Sequence, residues 1–451
     1  MHLVKSNGRK ILLDCGLFQG KRSEAYERNK QFPYEASTID AVVLSHAHTD
    51  HAGNLPNLVK NGFTGPIYAT LATRDLCEVM LMDSAYIQER DAEFVNKKHK
   101  KTGEPSVEPL YSVDDVTRTM SQFVGVDYHR SFHVADGIEC TFADAGHILG
   151  SAVSRLTFEE QGKKSTLGFT GDLGRKNTPI IKDPEPIDQV DFLISESTYG
   201  GRIHEAITGT RAALQSVIVK AVQRRGKLII PSFSVGRTQE LVFMMNELFD
   251  SGQLPEVPIY VDSPLALNAT EVFRHHPECF DEETLKLMRE HDDPFGFGRL
   301  TYVRTVEESK KLNDARGPLI VIAASGMCEA GRILHHLANS IGDSRNTVLI
   351  VGYQAEHTLG RRLVERQPEV KIFGDVYNRN AEIEVLNSLS AHAGQDELVA
   401  YAEMVTRKDS KGMFLVHGEL TQAEQMSARL FEKGFRNVTI PSSGDLVELQ
   451  P

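Results

Sequence analysis

The chain has 451 residues, 40% of them apolar, which gives room for two or three domains with ordinary buried cores. Fifty basic residues against 62 acidic ones leave a formal charge of −12, which excludes a protein that coats nucleic acid through a broad positive surface and confines any such contact to a narrow site. No segment approaches the roughly 20 uninterrupted apolar residues of a membrane span, and residues 1–10 lack an apolar run after their basic ones, so the expected location is cytoplasmic.

In chain order, short β-branched runs separated by turns occupy the first half: 10–14, 41–45, 66–69, 138–144, 166–170 and 191–196 read as strands. Between them, Lys97, Lys98, His99, Lys100 and Lys101 form a basic cluster that reads as a solvated helix or loop, with a contact surface as the alternative. Cys15, Cys77, Cys140, Cys279 and Cys328 lack the paired spacing of a zinc ribbon or disulfide scaffold and are expected as reduced, buried thiols. Beyond Gly200 the texture changes. Leu214, Val217, Ile218, Ala221 and Val222 share one helical face, Gly226 supplies a stop, and strand candidates 227–233, 258–262, 318–323 and 347–352 alternate with helical stretches such as 238–249. That is the pattern of a parallel sheet wrapped by helices. The glycine pair Gly200 and Gly201 marks the entry to this region, and the return is placed near 373–376.

The strongest local signal is "SHAHTDHAG", residues 45–53, in which a β-branched strand runs into His46, His48, Asp50 and His51. Alternate residues of an extended segment share a face, so His46 and His48 can reach one metal ion, while Asp50 and His51, on the turn that follows, can reach a second. Packing so many imidazoles and a carboxylate without a metal leaves polar groups in need of partners.

This motif resembles the His-x-His-x-Asp-His sequence of the metallo-β-lactamase superfamily, and the other ligands of that family stand in the expected order. His147 in "DAGHILGSA" matches its third histidine, Asp172 in "FTGDLGR" its bridging aspartate, and Asp14 in "LLDCG" an aspartate that supports the ligands. Glu196 in "SESTYG", His392 in "LSAHAGQDEL" and His417 in "LVHGEL" match three further motifs of the β-CASP nuclease branch, and the whole is most similar to the bacterial and archaeal relatives of the pre-mRNA 3′-end cleavage endonuclease subunit. A histidine in the last motif is characteristic of the members that act on RNA, where DNA-directed members have valine.

The resemblance implies an α/β fold: an αββα metallo-β-lactamase sandwich in segments 1–200 and 377–451, with an inserted β-CASP domain, 201–376, built on a mainly parallel sheet. It implies two zinc ions per chain, one held by His46, His48 and His147, the other by Asp50, His51 and His417, with Asp172 bridging. Asp50, Glu196 and His392 are the expected catalytic residues, and His392, oriented by Glu196, is the candidate general acid for the leaving 3′-oxygen. Hydrolysis by a metal-activated water would give 5′-phosphate and 3′-hydroxyl ends on single-stranded RNA. Relatives begin with an additional strand and a Gly-rich turn, so about 15 to 20 residues are expected to be missing before residue 1, which would expose a sheet edge. The short stretch after the sandwich closes leaves no room for the extra C-terminal domain of the ribonuclease J type, which favours endonuclease over 5′-exonuclease action. A homodimer is possible.

Within the insertion, Ser234, Gly236 and Arg237 in "PSFSVGRTQEL", and Ser325, Gly326 and Arg332 in "AASGMCEAGR", occupy strand-to-helix turns whose free N–H groups suit an RNA phosphate. The alternative reading of each is a tight turn capped by its serine. His335 and His336 read as surface or packing residues. A thioesterase or lactonase on the same fold is the competing enzyme class, and a silent scaffold subunit the competing non-enzyme; the first must treat Glu196, His392 and His417 as coincidence, the second lacks the ligand losses it needs.

Overall fold

The computed structural model describes residues 1–18, 22–204, 207, 209–290 and 293–450. The chain divides into two compact units, one formed by Met1–Lys176, Asp183–Ile203 and His392–Pro451, the other by Asn177–Lys182 and His204–Ala391.

The first unit contains two sheets. One has five strands in the order His2–Ser6, Arg9–Leu13, Ala41–Val43, Ile67–Ala69, Phe123–Gly125, parallel from Arg9–Leu13 onward. The other has seven: Val438–Thr439, Gly412–Val416, Phe192–Glu196 and Lys163–Phe169 run parallel, and Ala152–Glu160, Ile138–Asp144 and Phe132–Ala135 continue it antiparallel. Period-two alternation decides which side chains meet. Ile11, Leu13 and Val43 from the first sheet join Cys140, Phe142, Leu156, Leu167 and Phe192 from the second in one buried cluster between the sheets. On the outer face of the seven-stranded sheet, Val153, Leu193, Met413 and Leu415 pack with Leu398, Ala402, Met426 and Leu430 of the helices Gln395–Val405 and Leu420–Glu432. Between the strands Ile67–Ala69 and Phe123–Gly125 of the five-stranded sheet runs the helix Leu71–Thr102, whose inner positions Leu76, Cys77, Leu81 and Ala85 are buried. Helices on sheet on sheet is the expected αββα sandwich.

In the second unit, six strands are all parallel, in the order Leu300–Tyr302, Ile259–Asp262, Leu319–Ala323, Lys227–Pro231, Thr347–Ile350, Glu382–Val385. The central strands are buried on both faces, as continuous apolar runs such as "LIVIA" require of a parallel sheet covered by helices. A hairpin, Glu369–Ile372 with Asp375–Asn378, turns at Phe373 and Gly374, where the sequence placed its return boundary. The strand Glu382–Val385 then pairs with Thr347–Ile350, so residues 377–391 group with the inserted sheet and the first unit resumes at His392.

Candidate metal centre

Six of the candidate residues stand at or just beyond the carboxyl ends of parallel strands in the first unit. Asp14 follows Arg9–Leu13; His46 and His48 follow Ala41–Val43; Asp172 follows Lys163–Phe169; Glu196 ends its own strand; His417 follows Gly412–Val416. His48 is the N-cap position of the short helix Thr49–Ala52, which carries Asp50 and His51. His147 lies in the turn between Ile138–Asp144 and Ala152–Glu160, where the Ser151 hydroxyl accepts the His147 N–H at 3.0 Å. His392 is held by an isolated antiparallel bridge to Gly174 and by the Ala393 N–H donating to the Leu173 carbonyl.

The candidate metal ligands among these residues lie in two neighbouring groups. In the first, His48 Nδ1 is 3.1 Å from His46 Nε2 and 3.1 Å from His147 Nε2. In the second, His51 Nε2 is 3.2 Å from His417 Nε2, which is 3.4 Å from Asp50 Oδ2. Nitrogen ligands about 2.0–2.1 Å from a tetrahedral ion are separated by about 3.3 Å, so these spacings suit a shared cation at each group. Asp172 serves both. Its Oδ2 is 3.5 Å from His46 Nε2 and 3.6 Å from His147 Nε2, and its Oδ1 is 3.2 Å from His51 Nε2 and 3.4 Å from His417 Nδ1. Yet among the described residues Asp172 Oδ1 is buried without a hydrogen-bond partner, as a carboxylate oxygen shaped for a cation should be.

Three of the ligand rings, His51, His46 and His417, are also oriented from behind. Asp14 Oδ2 is 2.6 Å from His51 Nδ1, and the same carboxylate accepts from the Ser45 N–H and hydroxyl at 2.7 and 2.8 Å. Ser45 Oγ is 2.9 Å from His46 Nδ1, and Thr198 Oγ1 is 3.0 Å from His417 Nδ1. Such contacts fix the tautomer that leaves the other nitrogen free to ligate. Ser45, Ser151 and Thr198 were not singled out by sequence; their adjacency to the motif residues was the available signal. Two glycines are sterically required. A Cβ on Gly16 would lie 1.5 Å from the Asp50 carbonyl oxygen, and one on Gly174 would lie 1.6 Å from that of Gly146, beside His147.

Glu196 is fully buried; its Oε1 accepts from the Leu173 N–H at 2.6 Å and lies 3.3 Å from His392 Nδ1, while its Oε2 accepts from the Thr198 N–H at 3.3 Å. It therefore ties His392 to the segment bearing Asp172 and to Thr198, whose hydroxyl touches the His417 ring. In the metal-free chain, burial opposes charge on His392, but the Glu196 and Asp172 carboxylates overcome it and push His392 up to about 9. Burial, reinforced by neighbouring imidazoles, holds His46 well below the usual histidine range, and burial likewise lowers His48 to about 4. Those rings stay neutral, the form that binds a cation.

The two serine-glycine-arginine turns lie in the second unit, at the carboxyl ends of the neighbouring parallel strands Lys227–Pro231 and Leu319–Ala323. Their side chains are already engaged. Arg237 is buried and paired with Glu240, and Ser234 Oγ is 3.0 Å from Ser263 Oγ. Ser325 Oγ accepts the Glu329 N–H at 3.1 Å, the geometry of a serine-capped turn, and Gly326 packs against the Phe233 ring. Arg332 donates to Asp262 at 2.5 Å, as part of a buried group in which Asp262 is also 2.6 Å from His336 Nε2. His336 is thus a satisfied interior histidine, and His335 packs against Phe373 with ring centroids 4.6 Å apart and planes inclined at 41°.

Three family descriptions match successive parts of the chain: Metallo-beta-lactamase superfamily domain over residues 3–163, Beta-Casp domain over 238–363, and Zn-dependent metallo-hydrolase RNA specificity domain over 376–441. The chain is 35% identical over 419 residues to a ribonuclease of Thermus thermophilus, covering 93% of this chain and 90% of that protein. It is 31% identical over 443 residues to the transcription termination factor FttA of Methanosarcina mazei, covering 96% of this chain and 66% of that protein. With the FttA of Thermococcus kodakarensis the identity is 30% over 465 residues, 99% of this chain and 69% of that protein. The chain therefore spans about two thirds of the length of these termination factors.

Proposed function

The chain belongs to the β-CASP ribonuclease branch of the metallo-β-lactamase superfamily, a branch of metal-dependent hydrolases, and on that premise we propose that it cuts single-stranded RNA internally at a two-zinc centre, leaving 5′-phosphate and 3′-hydroxyl ends. The observation that carries the reading is the Asp172 carboxylate, which turns one oxygen to His46 and His147 and the other to His51 and His417. In this assignment His46, His48 and His147 would hold one ion and Asp50, His51 and His417 the other, with Asp172 available to both. When bound, the ions supply Lewis acidity, lowering the pKa of water from about 15.7 to near 7 and offsetting charge on the reacting phosphate.

The chain's own residues do the rest. Asp50, with its side chain 38% exposed at the rim of the second group, is placed to accept a hydrogen bond from the attacking water. His392 turns Nδ1 to Glu196, and we assign this imidazole the protonation of the departing 3′-oxygen. Glu196 and Asp172 keep the imidazole protonated toward neutral pH, against the offsetting field of the cations, so it can donate a proton where an alkoxide would otherwise have to leave. Because no 2′-hydroxyl takes part, preference for RNA must arise in binding, to which we assign the segment matched as an RNA specificity domain and the turns at Ser234, Gly236 and Arg237 and at Ser325, Gly326 and Arg332.

Incubation of the zinc-loaded protein with 5′-labelled RNA tests the reaction. Internal fragments of several lengths from the earliest times are expected. Mononucleotide released from the 5′ end alone would replace the endonuclease by a 5′-exonuclease, and intact RNA beside hydrolysed thioesters or lactones would overturn the nuclease reading.

A further inference from the structure

The helix Leu71–Thr102 is unusual in having two halves with different surroundings. Its first half is anchored: Thr70 caps it, accepting from the Thr73 N–H at 3.1 Å, and the Thr70 and Thr73 hydroxyls both donate to the carbonyl of Gly150, in the turn that carries His147. Beyond Ala85 no residue of the helix is buried. One side of this outer half is covered by the returning chain: Gln88 and Glu89 accept the N–H groups of Leu110 and Val113, Asn96 exchanges two hydrogen bonds with Val107, and His99 Nδ1 is 2.6 Å from the Pro105 carbonyl.

The opposite side carries Tyr86, Arg90, Phe94 and Lys98, each four residues from the last, with Lys97 and Lys101 between them. At about 100° per residue these side chains share an arc of about 120°, with Glu93 and Asp91 at its borders. Tyr86 is 53% exposed and Phe94 59%. The Arg90 guanidinium lies 5.2 Å from the Tyr86 ring centroid and the Lys98 ammonium 4.5 Å from that of Phe94, while Arg90 also reaches Glu93 at 3.6 Å. Two exposed aromatic rings alternating with cations, along about 22 Å of helix, are placed in a chain whose net charge is −12. Stacking faces interleaved with positive charge match a flexible polyanion that presents bases, and neither an acidic peptide nor a lipid surface needs both.

We propose that this outer face of Leu71–Thr102 is a second, sequence-tolerant binding surface for single-stranded RNA, distinct from the metal centre. It rests on RNA being the substrate. The surface binds bases by stacking on Tyr86 and Phe94 and phosphates through Arg90, Lys97, Lys98 and Lys101.

The chain contains no tryptophan, so Phe94→Trp introduces a single indole reporter at the surface itself. Stopped-flow mixing with a single-stranded oligouridylate of about 20 nucleotides should quench the indole before cleavage, and a duplex of the same length should not. In the Phe94→Trp background, Lys97→Gln, Lys98→Gln and Lys101→Gln together should weaken the quench severalfold and lower the salt slope of binding by about 2. In the otherwise unaltered chain, Tyr86→Ala with Phe94→Ala should raise KM for long RNA relative to short RNA by about fivefold or more, with kcat little changed. RNA cleaved normally with no quench and an unaltered KM ratio overturns the surface while leaving the ribonuclease reading intact. No cleavage of RNA of any length overturns the reading beneath it. Quenching that depends on protein concentration without RNA, with a dimer on gel filtration, assigns the face to a second copy and also overturns the proposal.

Discussion

His392 and His417 stand with ring centroids 6.2 Å apart, yet the geometry gives them different partners. His417 Nε2 faces His51 and Asp50, so His417→Ala should lower occupancy of the second metal position. His392 faces Glu196, so His392→Ala should keep both metals and cleave RNA slower by about 10² to 10⁴-fold, with Glu196→Gln showing a smaller loss. Replacing the scissile 3′-oxygen by sulfur, a leaving group that hardly needs a proton, should largely rescue His392→Ala; an undiminished defect on that substrate returns His392 to positioning the phosphate. Acid should also act at this scale. A histidine held near 4 in the folded, metal-free state, as His48 is, stabilises the fold above about pH 6.5 and loses that contribution as the pH falls toward 4, while protons compete with cations for every ligating imidazole. Dialysis followed by metal analysis should therefore show zinc retained near pH 7.5 and lost progressively below about pH 6. Occupancy unchanged down to pH 4.5 contradicts histidine ligation.

At the scale of elements, strands with strong β-branched runs were legible to within a few residues: 138–144 is the strand Ile138–Asp144, and 318–323 is Leu319–Ala323. The strands that escaped notice were short or mixed in character, such as His2–Ser6, Leu300–Tyr302 and Ala152–Glu160, whose "AVSRLTFEE" ends in charge because its last turn of the hairpin is exposed. The long helix Leu71–Thr102 was seen only as a basic cluster, since its apolar period stops at Ala85, where its core contact stops. Metal-ligand identity was readable because ligand chemistry restricts residue type. The ring-orienting roles of Ser45 and Thr198 were not, because a hydroxyl beside a motif is common and only distance distinguishes it. Arg237 shows the same limit. Its residue type suits phosphate, but its buried pairing with Glu240 gives it a structural task. Arg237→Ala should thus cost on the order of 2 kcal/mol by removing a buried charged partner of Glu240, read as a fall in Tm, as well as weakening RNA binding. Lost stability with unchanged RNA affinity would leave only the structural task.

Over the whole molecule, residues from Asp14 to His417 converge because parallel strands of two facing sheets deliver their carboxyl ends to one edge of the first unit. That convergence follows from the order of motifs once a sandwich is assumed, whereas the spacings between rings follow from packing that no linear pattern encodes. The formal charge of −12 is partly a consequence of the site, since Asp14, Asp50, Asp172 and Glu196 are carboxylates clustered around it. The most direct test is the metal content of the gently purified chain beside that of Asp172→Ala. The account predicts about two zinc ions per wild-type chain and a substantial loss in the variant, because removing the shared carboxylate leaves two cations facing each other with less compensating charge. Wild-type protein free of zinc and every other transition metal, or a variant that retains both ions, would contradict it.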